Sequence, residues 1–407
     1  MTPSQKPSVA IVVPSFDRGG LEQVALNLYR GYRARGCECI VLVERNVAGY
    51  MLGRLDAPEH GIVLNGEEGL FLEVLAQHKV DVLHYHYSTF GLSEAKKLGI
   101  YTLYTLHNVY TWLDDAGFSH HAGQLSEADR IVAVSGFVRD YFCERSKTPL
   151  DRVDVIPNGI DLAWASSQQD LPALDCPDGR FVFALPASYF PVKHHPLAIR
   201  AAEILLNKRK DFQLVFLGNI GDEDYSSHVD ALVAASSARS HITQIDCLAH
   251  DQMSAFYREL VDCVLLPTIQ EGCSNVVLEA LSFDKQMILT DVGNAREARR
   301  MSARVQVIDR AEDLDALTPE RIEELSRNGD CRNLRALVDA MIAAQSMRGG
   351  TADAATLAAR RDDIGLDRMA DGYFRLFEAS APLAAADAGH AWAIPAAKPS
   401  KTLETLA

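Results

Sequence analysis

Two carboxylates eight positions apart, Glu271 and Glu279, bound the segment Glu271-Gly272-Cys273-Ser274-Asn275-Val276-Val277-Leu278-Glu279. The apolar run Val264, Leu265, Leu266 is cut by Pro267, and Ser274-Asn275 ahead of Val276, Leu278 and Ala280 reads as a helix start without a breaker. A strand thus delivers Glu271 to a loop, and the next helix carries Glu279. In an open α/β sheet the loops at the carboxyl ends of strands form the ligand crevice, so the pair could accept hydrogen bonds from two hydroxyl-rich parts of one ligand. On spacing alone, however, an ordinary loop charge and an exposed helix residue are the stronger reading. Other residues have similar standing. Lys193 follows the strand predicted at 181–186 and suits a phosphate, but alone it reads as a solvated amine. Gly19 and Gly20 let backbone approach a ligand ahead of a helix beginning at Leu21, whose free N–H groups suit a phosphate or a transferred sugar; a simple tight turn is the alternative. His107 stands at the exit of strand 101–106, where a cleft residue belongs, whereas His84 and His86 share a face inside strand 81–87 and read as packing residues.

The elements that must position these groups repeat one grammar. Residues 8–13 read as a buried strand, 14–20 as a loop, and Leu21, Val24, Ala25, Leu28 and Tyr32 recur with helical period until Gly36, before a strand at 38–43. Further short strands are expected at 81–87, 101–106, 130–134 and 153–156. Asn158-Gly159 is a turn, and 164–179 is rich in Ser, Gln, Asp and Pro, which marks a domain boundary. The second half restarts with strands at 181–186, 213–217, 242–245, 262–266, 286–290 and 305–308, and helices at 197–207, 228–235 and 252–260. Lys193, Gly218, Glu271 and Gly293 then fall on one sheet edge. The expected fold is α/β, two Rossmann-like doubly wound domains facing a central cleft, at 1–163 and 164–365. A final amphipathic helix at 366–379 carries Met369, Tyr373, Phe374 and Phe377 at helical spacing. Residues 349–359 read as a mobile connection, and the Ala- and Pro-rich tail 380–407 as disordered.

Composition limits the partners. The 407 residues carry a formal charge of -15, which argues against nucleic acid, whose backbone needs a positive field. Broad attachment to anionic lipid is weakened too, although a local basic face remains compatible. No run approaches a membrane span, and the N-terminus lacks the basic and apolar regions of a signal peptide, so a cytoplasmic protein is expected. Eight cysteines without a C-x-x-C pair give neither a disulfide framework nor a zinc site. Asp222-Glu223-Asp224 and Asp313-Leu314-Asp315 match the D-x-D pattern of metal-dependent sugar transferases, but with 55 acidic residues such short matches are expected by chance.

The run 271–280 resembles the E-x7-E segment of retaining glycosyltransferases of the GT-B fold, family 4, a group that includes many bacterial polysaccharide and lipopolysaccharide enzymes. The resemblance extends along most of the chain: 16–23 is similar to the family's Gly-Gly loop, 81–86 to its D-V-x-H-x-H strand, Val134-Ser135 to its V-S segment, and 155–161 to its I-P-N-G-I-D linker, while 257–267 and 290–297 also match. It implies a hexosyltransferase that moves a sugar from a nucleotide-diphosphate sugar to an acceptor hydroxyl, with retention, in surface polysaccharide or glycoconjugate assembly. Glu279 would hold the ribose hydroxyls, Glu271 the donor sugar and Lys193 the diphosphate. Backbone at Leu248 and Ala249 would read the base, Gly19, Gly20 and His107 would lie by the phosphate or reacting sugar, and Gly218, Gly272, Cys273, Ser274 and Asn275 would complete the donor site.

The implied partners are a nucleotide-sugar donor and a saccharide or lipid-linked saccharide acceptor, with peripheral association at the inner face of the cytoplasmic membrane. No metal and no cofactor is required. In the family the final helix packs back on the first domain. One departure stands out: Ala187 and Ser188 occupy the places of a usual Gly-Arg, so half of the cationic clamp is missing, and His194 and Cys247 replace usual glycines. A nucleotide-sugar epimerase or hydrolase on the same fold, and a catalytically silent binding subunit, are the alternatives. Tyr110, Trp112 and Phe118 offer a platform for a sugar or lipid, or else cover the core.

Overall fold

The computed structural model describes residues 6–384 except 18, 46–48, 173–175, 178, 330, 348, 350 and 351. Its first sheet contains β1 (Ser8–Val13), β2 (Glu38–Val43), β3 (Gly61–Val63), β4 (Val82–His86), β5 (Tyr101–Leu106), β6 (Arg130–Ala133) and β7 (Val153–Val155), ordered β3-β2-β1-β4-β5-β6-β7. The second contains β8 (Phe181–Pro186), β9 (Phe212–Leu217), β10 (Ile242–Ile245), β11 (Cys263–Leu266), β12 (Gln286–Thr290) and β13 (Val305–Ile308), ordered β10-β9-β8-β11-β12-β13. Every pairing is parallel. In each sheet the strand order reverses beside the first strand, and such a switch point opens a crevice beyond the carboxyl ends. This is the expected α/β GT-B arrangement.

The runs are apolar on both faces because helices cover both sides of each sheet. Ala10 and Val12 of β1 pack on one side with Tyr85 and Tyr104, while Val9, Ile11 and Val13 pack on the other with Tyr29, Tyr32 and the final helix. That helix, Leu366–Ala384, buries Met369, Tyr373 and Phe377 against the helix Gly20–Ala34, although it lies far from it in sequence. Arg35 clasps it from outside, donating to Asp371 at 2.6 Å and Asp367 at 3.2 Å. Among the described residues no helix is long and apolar enough to cross a membrane.

Several elements differ from expectation. The helix expected at 228–235 begins earlier, spanning Glu223–Ala235, because Asp222 caps it by accepting from the Tyr225 N–H at 2.8 Å. Residues 252–260 do not form one regular helix: His250–Gln252 is 3-10, Met253–Ala255 a single α-turn and Phe256–Leu260 a π-turn. The wider turn lets the adjacent Phe256 and Tyr257 both turn inward, and both are buried. The segment 349–359 is not simply a connection, since Ala354–Ile364 is helical and capped by Asp353. The final helix runs past 379, so 380–384 belong to it; the rest of the tail, 385–407, lies outside the described residues.

Candidate active site

The carboxyl ends of the two sheets face one another across a cleft of about 600 Å³. Gly19, Gly20, Tyr87, His107 and Asn108 line it from the first sheet, and Lys193, Gly218, Leu248, Glu271, Cys273, Ser274, Asn275 and Glu279 from the second. Most of the expected site residues are therefore brought together, and two are not. Ala249 is exposed and its N–H donates to Gln252 Oε1 at 3.1 Å. Gly272 packs against the facing domain: a Cβ there would lie 1.8 Å from the His107 carbonyl oxygen, an approach only glycine permits.

The loop between the two glutamates is held from both sides. Ser135 Oγ donates to the Gly272 carbonyl at 2.9 Å and Asn158 Nδ2 to the Cys273 carbonyl at 3.1 Å, both from the linker-side half of the first domain. Thr111 Oγ1 donates to Gln270 Oε1, and the Gly136 N–H to Glu297 Oε1 at 3.1 Å. From beneath, Asn294 Oδ1 accepts from the Ser274 N–H at 3.0 Å. Gly293, at φ +57°, brings its own backbone against Glu271 and Gly272. The start of the helix Asn275–Ser282 is thus fixed, and Asn275 Oδ1 is buried there without a hydrogen-bond partner.

Charges in the cleft are few, and two of them form an ion pair. Lys193 Nζ donates to Glu271 Oε2 at 2.7 Å, so the residue expected at the diphosphate and the one expected at the sugar are already joined. Glu279 is not an exposed helix residue: burial pushes its carboxyl up to about 7, while Tyr257, donating to Oε2 at 2.8 Å, holds it partly down. Among the described residues lining the cleft, Lys193 is the one Lys or Arg, against Asp246, Glu271 and Glu279. Ala187 and Ser188 also line it, at the places where a Gly-Arg pair was expected to help clamp a diphosphate. Burial pushes the Cys273 thiol up to about 12, so it is protonated and no nucleophile at neutral pH.

His107 is also held neutral, lowered to about 3 by burial. Its Nε2 is 2.7 Å from His86 Nδ1, and its ring stacks on Tyr87 at 5.6 Å between centroids. Sequence reasoning treated His86 as packing, and it is wholly buried, yet it touches the cleft histidine directly. Tyr87, Asn158 and Asp246 were missed as lining residues; the signal for Tyr87 and Asp246 was their place just past β4 and β10, the same signal that identified His107. Of the two readings for the aromatic trio, Tyr110 and Phe118 follow the second and cover the core, at 3% and 0% exposure, while Trp112 is exposed at 48%. The D-x-D matches have other occupations, Asp222 as a helix cap and Asp313 paired with Arg332 at 2.8 Å.

Two family models match in succession, Glycosyltransferase Family 4 over residues 18–164 and Glycosyl transferases group 1 over 167–335. The D-inositol 3-phosphate glycosyltransferase of Pseudarthrobacter chlorophenolicus is 22% identical over 240 residues, 54% of this chain and 56% of that protein. The phosphatidylinositol N-acetylglucosaminyltransferase GPI3 subunit of Saccharomyces cerevisiae is 20% identical over 251 residues, 55% of this chain and 51% of its own. The matches span about half the length of these curated relatives. Among solved structures, a glycosyltransferase from Rickettsia africae superposes with a TM-score of 0.69 at 17% identity, covering 92% of this chain and 98% of its own. Anabaena HepE, solved in complex with UDP, gives 0.68 at 15% identity, covering 91% and 100%. With one family model on each sheet domain and the two domains set across a cleft, the chain belongs to the family 4 glycosyltransferases of the GT-B fold, a family of transferase enzymes.

Proposed function

We propose that this protein transfers a sugar from a nucleoside diphosphate sugar to an acceptor hydroxyl with retention of anomeric configuration. The observation that carries the reading is the convergence of Lys193, Glu271 and Glu279 from one domain with Gly20 and His107 from the other on a single cleft. Glu279 accepts from the ribose hydroxyls, which suit the two oxygens of a carboxylate, and Glu271 from hydroxyls of the donor sugar. Lys193 has three donors, so it keeps Glu271 while turning another N–H to the diphosphate. The start of the helix Asn275–Ser282 and that of Gly20–Ala34 add oriented N–H groups, which matter more with Ser188 in place of arginine.

In the reaction the bond from the anomeric carbon to the phosphate oxygen breaks as the acceptor oxygen bonds to that carbon on the same face, and the acceptor proton passes to the departing phosphate. Catalysis then rests on positioning and on stabilising the developing diphosphate charge, with no metal required. We assign 1–163, completed by 366–379, to the acceptor side and 164–365 to the donor side. The acceptor is a saccharide or lipid-linked saccharide, and the setting is polysaccharide or glycoconjugate assembly in the cytoplasm, at the inner face of the membrane.

Ser188 favours one second reading, a silent subunit that binds the nucleotide without turnover. Incubation with UDP-, GDP- and ADP-sugars separates the readings: slow donor hydrolysis that releases the retained anomer supports the transferase, whereas sugar interconversion, or binding without reaction, overturns it.

A further inference from the structure

Two imidazoles meet behind the cleft, and their proton inventory is constrained. His86 Nδ1 lies 2.7 Å from His107 Nε2, close enough for a hydrogen bond that needs one proton between them. Both rings are neutral at pH 7 because burial disfavours their charged forms, so each carries a single N–H. The other nitrogen of His86, Nε2, is buried with no hydrogen-bond partner. His84, whose ring lies 4.2 Å from that of His86, cannot supply one. Its Nδ1 is hydrogen-bonded to Tyr32 OH at 2.9 Å and its Nε2 to Thr105 Oγ1 at 2.8 Å.

Two arrangements satisfy the contact. If His107 donates from Nε2, then His86 carries its proton on Nε2, a buried N–H with nothing to receive it. If His86 donates from Nδ1, only a bare lone pair is left at its Nε2. Buried orphan N–H groups are rarer and costlier than under-used acceptors, so the second arrangement prevails. We propose that His86 is a positioning residue that fixes His107 with its proton on Nδ1, making the cleft histidine a hydrogen-bond donor rather than a base.

Since Nε2 of His107 is taken by His86, Nδ1 is the nitrogen left to the cleft that His107 lines. An N–H there suits a sugar hydroxyl or an oxygen gaining negative charge, and it cannot take up the acceptor's proton. This deepens the proposed function and rests on it for the identity of the oxygen, but the tautomer itself does not.

Long-range ¹H–¹⁵N correlation on the ¹⁵N-histidine-labelled full chain reads the tautomer directly, with His107→Gln used to assign the signals. Expected for the wild type is a protonated Nδ1 and a bare Nε2 on His107; a proton on Nε2 overturns the proposal. In His86→Leu the His107 pattern should move toward the other tautomer or an average, and His86→Asn, whose amide lies near the place of Nδ1, should restore it. An unchanged His107 pattern in a folded His86→Leu overturns the positioning role, and if that variant does not fold the wild-type spectrum still decides. UDP-, GDP- and ADP-glucose are then added to the wild type. A shift of the Nδ1–H signal supports the contact to donor, whereas no shift with the tautomer intact overturns the donor reading alone.

Discussion

Burial pushes the Glu279 carboxyl up to about 7, and the Tyr257 hydroxyl offsets only part of that shift. A carboxyl raised in the folded state binds its proton more tightly there than in the unfolded chain. Its contribution to stability is therefore best at low pH and is lost as pH rises from about 4.5 to about 7, by at most about 3 to 4 kcal/mol. A ligand that donates to the ionised form recovers part of that loss, because hydrogen bonds to a charged acceptor exceed those to a neutral one. Nucleoside diphosphate affinity should thus rise several-fold between pH 6 and pH 8, while in Glu279→Gln only the change due to the ligand's own phosphate remains. Titration calorimetry at both pH values checks this, and parallel profiles for the two proteins would remove Glu279 from the nucleotide. The same variant should be the more stable protein at pH 8.

At the scale of elements, the helix Leu366–Ala384 serves the first domain from the far end of the chain. Tyr373 is buried against Tyr32 and Val9, and its hydroxyl lies 3.1 Å from Thr105 Oγ1, which in turn bonds His84. Tyr373→Ala removes a large buried ring and a polar partner, and should cost about 3 to 5 kcal/mol in denaturant unfolding. A loss below about 1 kcal/mol would mean that the helix is not integral to the first domain. The amphipathic spacing of Met369, Tyr373 and Phe377 announced this helix, but local sequence says nothing of which surface an apolar stripe meets. The central strands were legible because runs such as Val9 to Val13 have no polar interruption. The three-residue strand β3 was not, since Gly61 to Val63 is too short to show a period. Phe256–Leu260 was misread as regular helix because its π-turn answers to a tertiary demand, two adjacent rings needing one core. Glu271 and Glu279 were legible through their motif, whereas the His86 contact joins the last residue of β4 to the residue just past β5 and leaves no mark on either segment.

The whole molecule is coupled where the E-x7-E loop meets the first domain. A methyl at Gly272 would sit 1.8 Å from the His107 carbonyl oxygen, and backbone on both sides gives it no flexible neighbour to displace. Gly272→Ala must therefore be relieved by moving one domain against the other. That movement stretches the contacts of Ser135 to Gly272, Asn158 to Cys273 and Gly136 to Glu297, each worth about 1 kcal/mol. Neither sheet depends on this contact, so both domains should remain folded with the cleft widened. Groups that act within the second domain, Lys193 and Glu279, keep their relation, while His107 and Gly20 retreat from Glu271. The nucleoside diphosphate Kd should then change by less than about threefold, whereas kcat falls by about tenfold to a hundredfold, the equivalent of roughly 1.4 to 2.8 kcal/mol. If kcat survives while the thermal transition drops, the loop contact supports folding alone and the reacting groups are not shared between domains; a parallel loss of nucleotide affinity would instead place first-domain groups at the nucleotide.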